Sequence, residues 1–277
     1  MKLTLGLSML LLVGACSSKQ DSEKPYAAAE LPQSLDVAIM SSFRTEENKQ
    51  RDQYQHPLET LKFFGLKPDM TVVDVYPGSG WYMEVIAPYV AEKGKYIMAV
   101  PSYDANKPQQ IENDMKLKLW MNNHPEAAKS MSAVAFDVPE KTQIAPENSV
   151  DMIVSFENVH IWRSQKSERK AFNSFYKALK PGGILGVVAH RELEDRWDPE
   201  AKRGYIREKD LVNFGLRAGF LLVATSEINA NKKDTKNYPA GVHALPPTLA
   251  LGDQDRAKYL AIGESDRLTL KFIKPKK

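Results

Sequence analysis

From Thr71 onward the chain alternates short apolar runs with helical patterns, and that alternation narrows the folds open to it more than any other feature. The runs fall at 71–75, 96–100, 133–137, 150–156, 184–189, 221–225 and 268–273. Between them Ile111, Met115 and Leu119 recur at helical spacing, as do Ala171, Phe172, Phe175, Ala178 and Leu179. The second of these helices is expected to stop at Lys180, because Pro181-Gly182-Gly183 cannot continue it. The expectation is an α/β fold with a seven-stranded, doubly wound, mostly parallel sheet of Rossmann-like type. In such a sheet ligands lie beyond the carboxyl ends of the strands, where strand order reverses.

The first run leads into Asp74-Val75-Tyr76-Pro77-Gly78-Ser79-Gly80-Trp81-Tyr82: a strand ending near a carboxylate, a turn through two glycines, then an amphipathic helix. Glycine lets backbone come close to a ligand, and a helix start offers unpaired N–H groups. The dinucleotide fingerprint would need glycine where Met83 stands, and no phosphate-binding G-x-x-x-x-G-K-[ST] run occurs, so NAD and P-loop nucleotides are disfavoured. An ordinary tight strand-to-helix turn is the plainer reading. The D-x-x-P-G-x-G spacing resembles the first motif of class I S-adenosylmethionine-dependent methyltransferases. Its PGSGWY form resembles a group of predicted methyltransferases of unassigned substrate. Leu179-Lys180-Pro181-Gly182-Gly183 before a strand, Arg217-Ala218-Gly219-Phe220, and Asp266 to Phe272 near the end also resemble that family, whose sheet has seven strands.

The resemblance implies S-adenosylmethionine as cofactor. Asp74 would serve its amino-acid end, directly or through water, with Tyr76 in the same turn and Gly78 and Gly80 allowing close approach. The family places an acid after the second strand for the ribose; here Val100-Pro101-Ser102-Tyr103-Asp104 has none at that point. Either Ser102 or Asp104 substitutes, or the ribose is held differently, or the cofactor does not bind. Asp137 would face adenine, or else cap the next turn. After the fourth strand, Glu157-Asn158-Val159-His160-Ile161-Trp162 concentrates polar and aromatic groups as a substrate cleft does. His160 and His190 are the candidate acid/base residues, with Asn158 orienting, and a small molecule of unknown identity is the expected substrate. A structural histidine is the ordinary alternative, and a metal site with Glu157 a further one. Residues 51–57 precede the first strand where the family covers its cofactor, and the insertion 228–265 is a candidate lid.

The N-terminus carries a different signal. Met1-Lys2, the apolar run 3–13 and Gly14-Ala15 before Cys16 form an export signal too short to span a bilayer. Val13-Gly14-Ala15-Cys16 resembles a bacterial lipobox, which implies lipidation at Cys16, the sole cysteine of 277 residues. Ser17 after it is similar to lipoproteins sorted to the outer membrane. The organisation expected is a signal peptide over 1–15, a tether over 16–35 and a methyltransferase-like domain over 36–277, anchored to the cell envelope and facing the periplasm. With no other cysteine, disulfides and thiolate chemistry are excluded from the mature chain. A formal net charge of +3, from 38 basic and 35 acidic side chains, gives no case for nucleic acid. Two alternatives stand beside the enzyme: a non-catalytic, lipid-anchored binding or scaffold protein that kept the fold, and a cytoplasmic form begun at Met40.

Overall fold

Seven strands hydrogen-bond into one sheet in the computed structural model, which describes residues 29–276. They are β1 (Thr71–Val75), β2 (Lys95–Val100), β3 (Met131–Ala135), β4 (Val150–Phe156), β5 (Leu179–His190), β6 (Leu221–Ser226) and β7 (Arg267–Ile273). Their order is β3-β2-β1-β4-β5-β7-β6. Strands β1 to β5 are parallel, and β7 runs antiparallel to both of its neighbours. The order reverses between β1 and β4, so the crevice expected to bind ligand lies beyond Val75 and Phe156.

Each face of the sheet has its own core. Val73, Val75, Ile153 and Val187 pack against Phe172 and Phe175 of the helix Glu168–Ala178 and Leu211 of the helix Glu208–Ala218. Val72, Met98, Met152 and Val154 pack on the other side, against Leu61 and Phe64 of Pro57–Phe64 and Val85 and Ile86 of Met83–Val90. Burial on both faces accounts for the continuous apolar runs. It also sends Asp74, which alternates with Val73 and Val75, towards the second face.

Three details depart from the sequence expectation. β3 lies two residues earlier than 133–137, because its pairing runs from Tyr96 opposite Met131 to Val100 opposite Ala135. Asp137 is therefore in a loop, bridged to Lys141. The helix Glu168–Ala178 ends before Lys180, and Leu179 to Gly183 already belongs to β5, where a register shift opposite Val150 and Met152 absorbs the proline and glycines. In the helix Pro108–Asn123 the buried residues are Leu117 and Trp120, while Met115 and Leu119 of the expected stripe are exposed. Trp120 decides that orientation by donating its indole N–H to the Phe43 carbonyl at 2.7 Å.

The insertion 228–265 is built into the body. Its residues Tyr238, Ala244, Leu245 and Tyr259 form a small core of their own, and buried Asn229 donates to Thr60 and Thr269. At the other end Ala29 and Leu31 pack on the second of the two cores, and Ser34 caps the helix Leu35–Met40. Cys16, the signal segment and most of the tether lie outside the described residues. Among those described, no helix is long and apolar enough to cross a membrane.

Candidate active site

The glycine turn leaves β1 in a conformation that L-residues rarely adopt. Tyr76 has φ 54°, in the left-handed region. Its N–H donates to Ala99, its hydroxyl donates to the Phe136 carbonyl at 2.9 Å, and its ring packs near Trp162. These anchors hold it where glycine would sit without strain. Gly78 follows with φ 60°, and a Cβ built there would meet no atom within 4 Å. That open space faces two cavities. Gly80, in contrast, lines neither cavity; a Cβ on it would come within 2.8 Å of Met83. Its smallness serves helix packing, and Gly78 is the place of close approach.

Trp81 and Tyr82 clasp the N-terminal helices to this turn. The Trp81 indole donates to the Asn48 carbonyl at 2.9 Å, with the guanidinium groups of Arg44 and Arg51 over its ring at 5.2 and 5.7 Å. Tyr82 stacks on Phe156 with centroids 3.4 Å apart and donates to the Gln55 carbonyl. The W-Y pair thus fixes one wall of the smaller cavity.

This cavity, about 300 Å³, brings together Arg51, Asp74, Glu157, Asn158, His160, His190, His243 and Glu264. Buried Arg267 donates to Glu157, to Glu264 at 2.9 Å and to the Tyr54 carbonyl at 2.6 Å. Arg51 forms a bidentate pair with Glu264, and Gln55 donates to both carboxylates. Burial alone would raise the Glu157 carboxyl, but Arg267, His190 and Arg51 outweigh it and hold the group below the usual carboxylate range. His190 shares a 2.6 Å hydrogen bond between Nδ1 and Ser265 Oγ, and its Nε2 is 3.9 Å from Glu157. Burial lowers His190 to about 3 and His160 to about 4, so both are neutral imidazoles at pH 7. Their ring centroids are 5.6 Å apart, and His160 is 6.1 Å from His243.

Asp74 has a different environment. Burial pushes its carboxyl up to about 7, against a 2.6 Å hydrogen bond from the Tyr96 hydroxyl. Asn158 lines both cavities but orients no histidine: its side-chain N–H donates to the Val75 carbonyl at 2.7 Å, which holds the turn.

The larger cavity, about 850 Å³, adjoins the first through Tyr76, Pro77, Gly78 and Asn158 and extends past the ends of β2 and β3. Ser102 lines it; Asp104 and Asp137 do not. The Asp137 carboxylate accepts the Ser102 N–H at 2.9 Å and its hydroxyl, so the two residues bind each other across the β2 and β3 ends. Asp104 caps its own turn at Asn106. Among the polar groups that reach the larger cavity are Gln110, Asn113 and Asp114 of Pro108–Asn123, which the sequence did not single out; nor did it single out Glu264, which lines the smaller one. Helical spacing from Gln110 to Asp114 was the available signal. Glu264 had none, since its partners come together only through tertiary folding. Among the described residues no group of three or more His, Cys, Asp or Glu is arranged to hold a metal ion. Glu157, the carboxylate considered for one, is engaged by Arg267 and Gln55.

Residues 73–187 match the family model described as "Methyltransferase domain". No protein of curated function matches the chain. Among solved structures, a SAM-dependent methyltransferase from Aquifex aeolicus is 22% identical with a TM-score of 0.50, over 65% of this chain and 87% of that one. The phosphoethanolamine N-methyltransferase 2 of Haemonchus contortus, in complex with S-adenosyl-L-methionine, is 13% identical with a TM-score of 0.53, over 88% and 60%. The cyclase SpnF is 14% identical with a TM-score of 0.55, over 91% and 98%. At these identities the likeness is one of fold, and the fold is that of class I methyltransferases.

Proposed function

We propose that the protein is an S-adenosylmethionine-dependent methyltransferase acting on a small molecule bound in the 300 Å³ cavity. The observation that carries this is Gly78, whose missing side chain leaves open space between two cavities at the sheet's switch point. The residues present fit the cofactor. Asp74, buried with one hydrogen bond, suits its ammonium group. Arg51 Nη1, which has no hydrogen-bond partner among the described residues, suits its carboxylate. Asn113 and Asp114 suit the ribose hydroxyls in place of the acid missing after β2. The cofactor supplies an electrophilic methyl group. The protein's part is to orient the acceptor, exclude water and take a proton.

Calorimetric titration of the full chain with S-adenosylmethionine is expected to show one-to-one binding. Gly78→Val is expected to weaken it at least tenfold, because the new side chain fills the space the ligand needs and strains a left-handed residue. The far-ultraviolet spectrum should be unchanged. Binding that survives the valine, or wild type that does not bind, would favour the scaffold reading, for which the Ser102–Asp137 tie is the supporting observation.

Lipid on Cys16 would hold this domain at the cell envelope, at the outer membrane facing the periplasm; the support is Val13-Gly14-Ala15-Cys16 followed by Ser17. Labelling with a fatty-acid analogue is expected to mark wild type and not Cys16→Ala, and an unlabelled wild type would remove the anchor. A chain begun at Met40 would lack Leu35 and Ala38, both buried in the core. That counts against a stable cytoplasmic form of that length.

A further inference from the structure

Resting on the methyltransferase reading, we infer that the acceptor is the hydroxyl of an uncharged single-ring aromatic compound and that His160 takes its proton. The cavity's shape and charge lead there. Tyr82 and Phe156 present stacked rings on one side, and the insertion contributes Val242, Pro246 and Pro247. Such walls suit a flat apolar body. A dry cavity of about 150 Å³ holds a benzene ring, so about 300 Å³ has room for one ring beside the end of the cofactor. With Asp74 and Arg51 Nη1 taken by the two ends of the cofactor's amino acid, the other charges of the cavity are already paired: Arg267 with Glu157 and Glu264, and Arg51 with Glu264. A substrate carboxylate or ammonium would have to break one of these pairs.

The three histidines divide the remaining work. His190 is tied to Ser265 and stands beside Glu157. His243 is exposed at the rim. His160 lies between them, lines the cavity, and has no hydrogen-bond partner on either ring nitrogen among the described residues. Burial opposes a charge on His160 and the Glu157 carboxylate favours one, so this imidazole, with both ring nitrogens free, can accept a proton with the support of Glu157. The acceptor oxygen forms its bond to the methyl carbon with a lone pair while the carbon–sulfur pair stays on sulfur, and the hydroxyl proton passes to His160. The products are an aryl methyl ether, the demethylated thioether and an imidazolium within the field of Glu157.

The test uses the full chain with phenol, 4-nitrophenol, benzylamine and benzoate as probes. At pH 6, where both phenols are uncharged, calorimetry and the His160 imidazole resonances are expected to report binding of phenol and 4-nitrophenol, with the charged benzylamine and benzoate at least tenfold weaker. With S-adenosylmethionine, the two phenols are expected to give methyl ethers by mass spectrometry. Phenol ionises near pH 10 and needs a base, whereas nitrophenol is largely ionised by pH 8. His160→Asn is therefore expected to slow phenol methylation about 100-fold or more and to change nitrophenol methylation little. A purely structural histidine would slow both alike. Thr248→Trp, at an exposed position on the cavity wall, is expected to block both phenols while leaving S-adenosylmethionine affinity within twofold. Preferred binding or methylation of benzylamine or benzoate would overturn the inference, as would equal slowing of the two phenols by His160→Asn. Cofactor binding with no phenol methylation would overturn it too, and would leave the methyltransferase reading standing. Absence of cofactor binding would overturn that reading itself.

Discussion

Replacing Arg267 with methionine is expected to destabilise the protein by about 3–5 kcal/mol and to lower its melting temperature by roughly 10 °C. Methionine keeps the apolar stem of the side chain but ends short of the guanidinium, leaving Glu157 and Glu264 without the charge between them. Arg267 is 2% exposed, and one guanidinium serves both carboxylates and the Tyr54 carbonyl. Arg51 remains for Glu264, so the larger share of the loss falls on Glu157. The pH dependence identifies the cause. Arg267 holds the Glu157 carboxyl below its unfolded value of 4.5, so this group adds stability above about pH 4.5 that is lost on acidification. The gap between wild type and Arg267→Met should narrow below that pH, and Glu157→Gln added to the variant should restore part of the loss. Urea denaturation at pH 4 and 7.5 measures both. A gap below 1 kcal/mol at pH 7.5 would show that the network contributes little.

Asp74→Asn is expected to act in the opposite direction on stability and to weaken the site. The amide still accepts the Tyr96 hydroxyl, but it has no charge to desolvate. In wild type the folded carboxyl titrates at about 7 against 3.8 when exposed. At 1.36 kcal/mol per unit, holding it ionised at pH 8 without a ligand costs the fold about 4 kcal/mol. The folded state keeps its proton longer, so wild-type stability falls as pH rises from about 4 to about 7. Asparagine should remove that fall. Below pH 4 the two proteins should match; at pH 8 the variant should be more stable by about 2–4 kcal/mol. S-adenosylmethionine affinity should decline at least tenfold, because the anion that faces its ammonium is gone. A variant no more stable than wild type at pH 8 would mean that water or another cation already solvates Asp74. Such a result is read directly from paired denaturation curves.

The sequence made the sheet legible because its central strands are buried on both faces and are apolar almost throughout. Where a strand borders the edge, as β3 does, the pattern was too weak to fix its bounds, and neighbouring Lys95–Val100 set them instead. The helix Pro108–Asn123 misled for a related reason: one tryptophan hydrogen bond turned its face, which no apolar periodicity records. The turn, His160, His190 and Asn158, picked out by their positions after buried strands, line the smaller cavity. Their roles were less accessible. Asn158 holds backbone, and Ser102 and Asp137 hold each other, because short polar side chains satisfy whichever donor or acceptor the folded chain brings near. The pairing of Glu264 was invisible, because its partner Arg51 lies 213 residues away.

That separation has a consequence for the order of events in the life of the chain. The small cavity is walled by residues near position 51, by the ends of β1, β4 and β5, and by residues 264 and 265. Arg267, which neutralises two of its carboxylates, opens the last strand. A nascent chain that has completed its glycine turn therefore holds a grip without a chamber. The chamber is complete only with β7 in place between β5 and β6. Removing β7, which seats Arg267 beside Glu157 and Glu264, is therefore expected to abolish ligand binding.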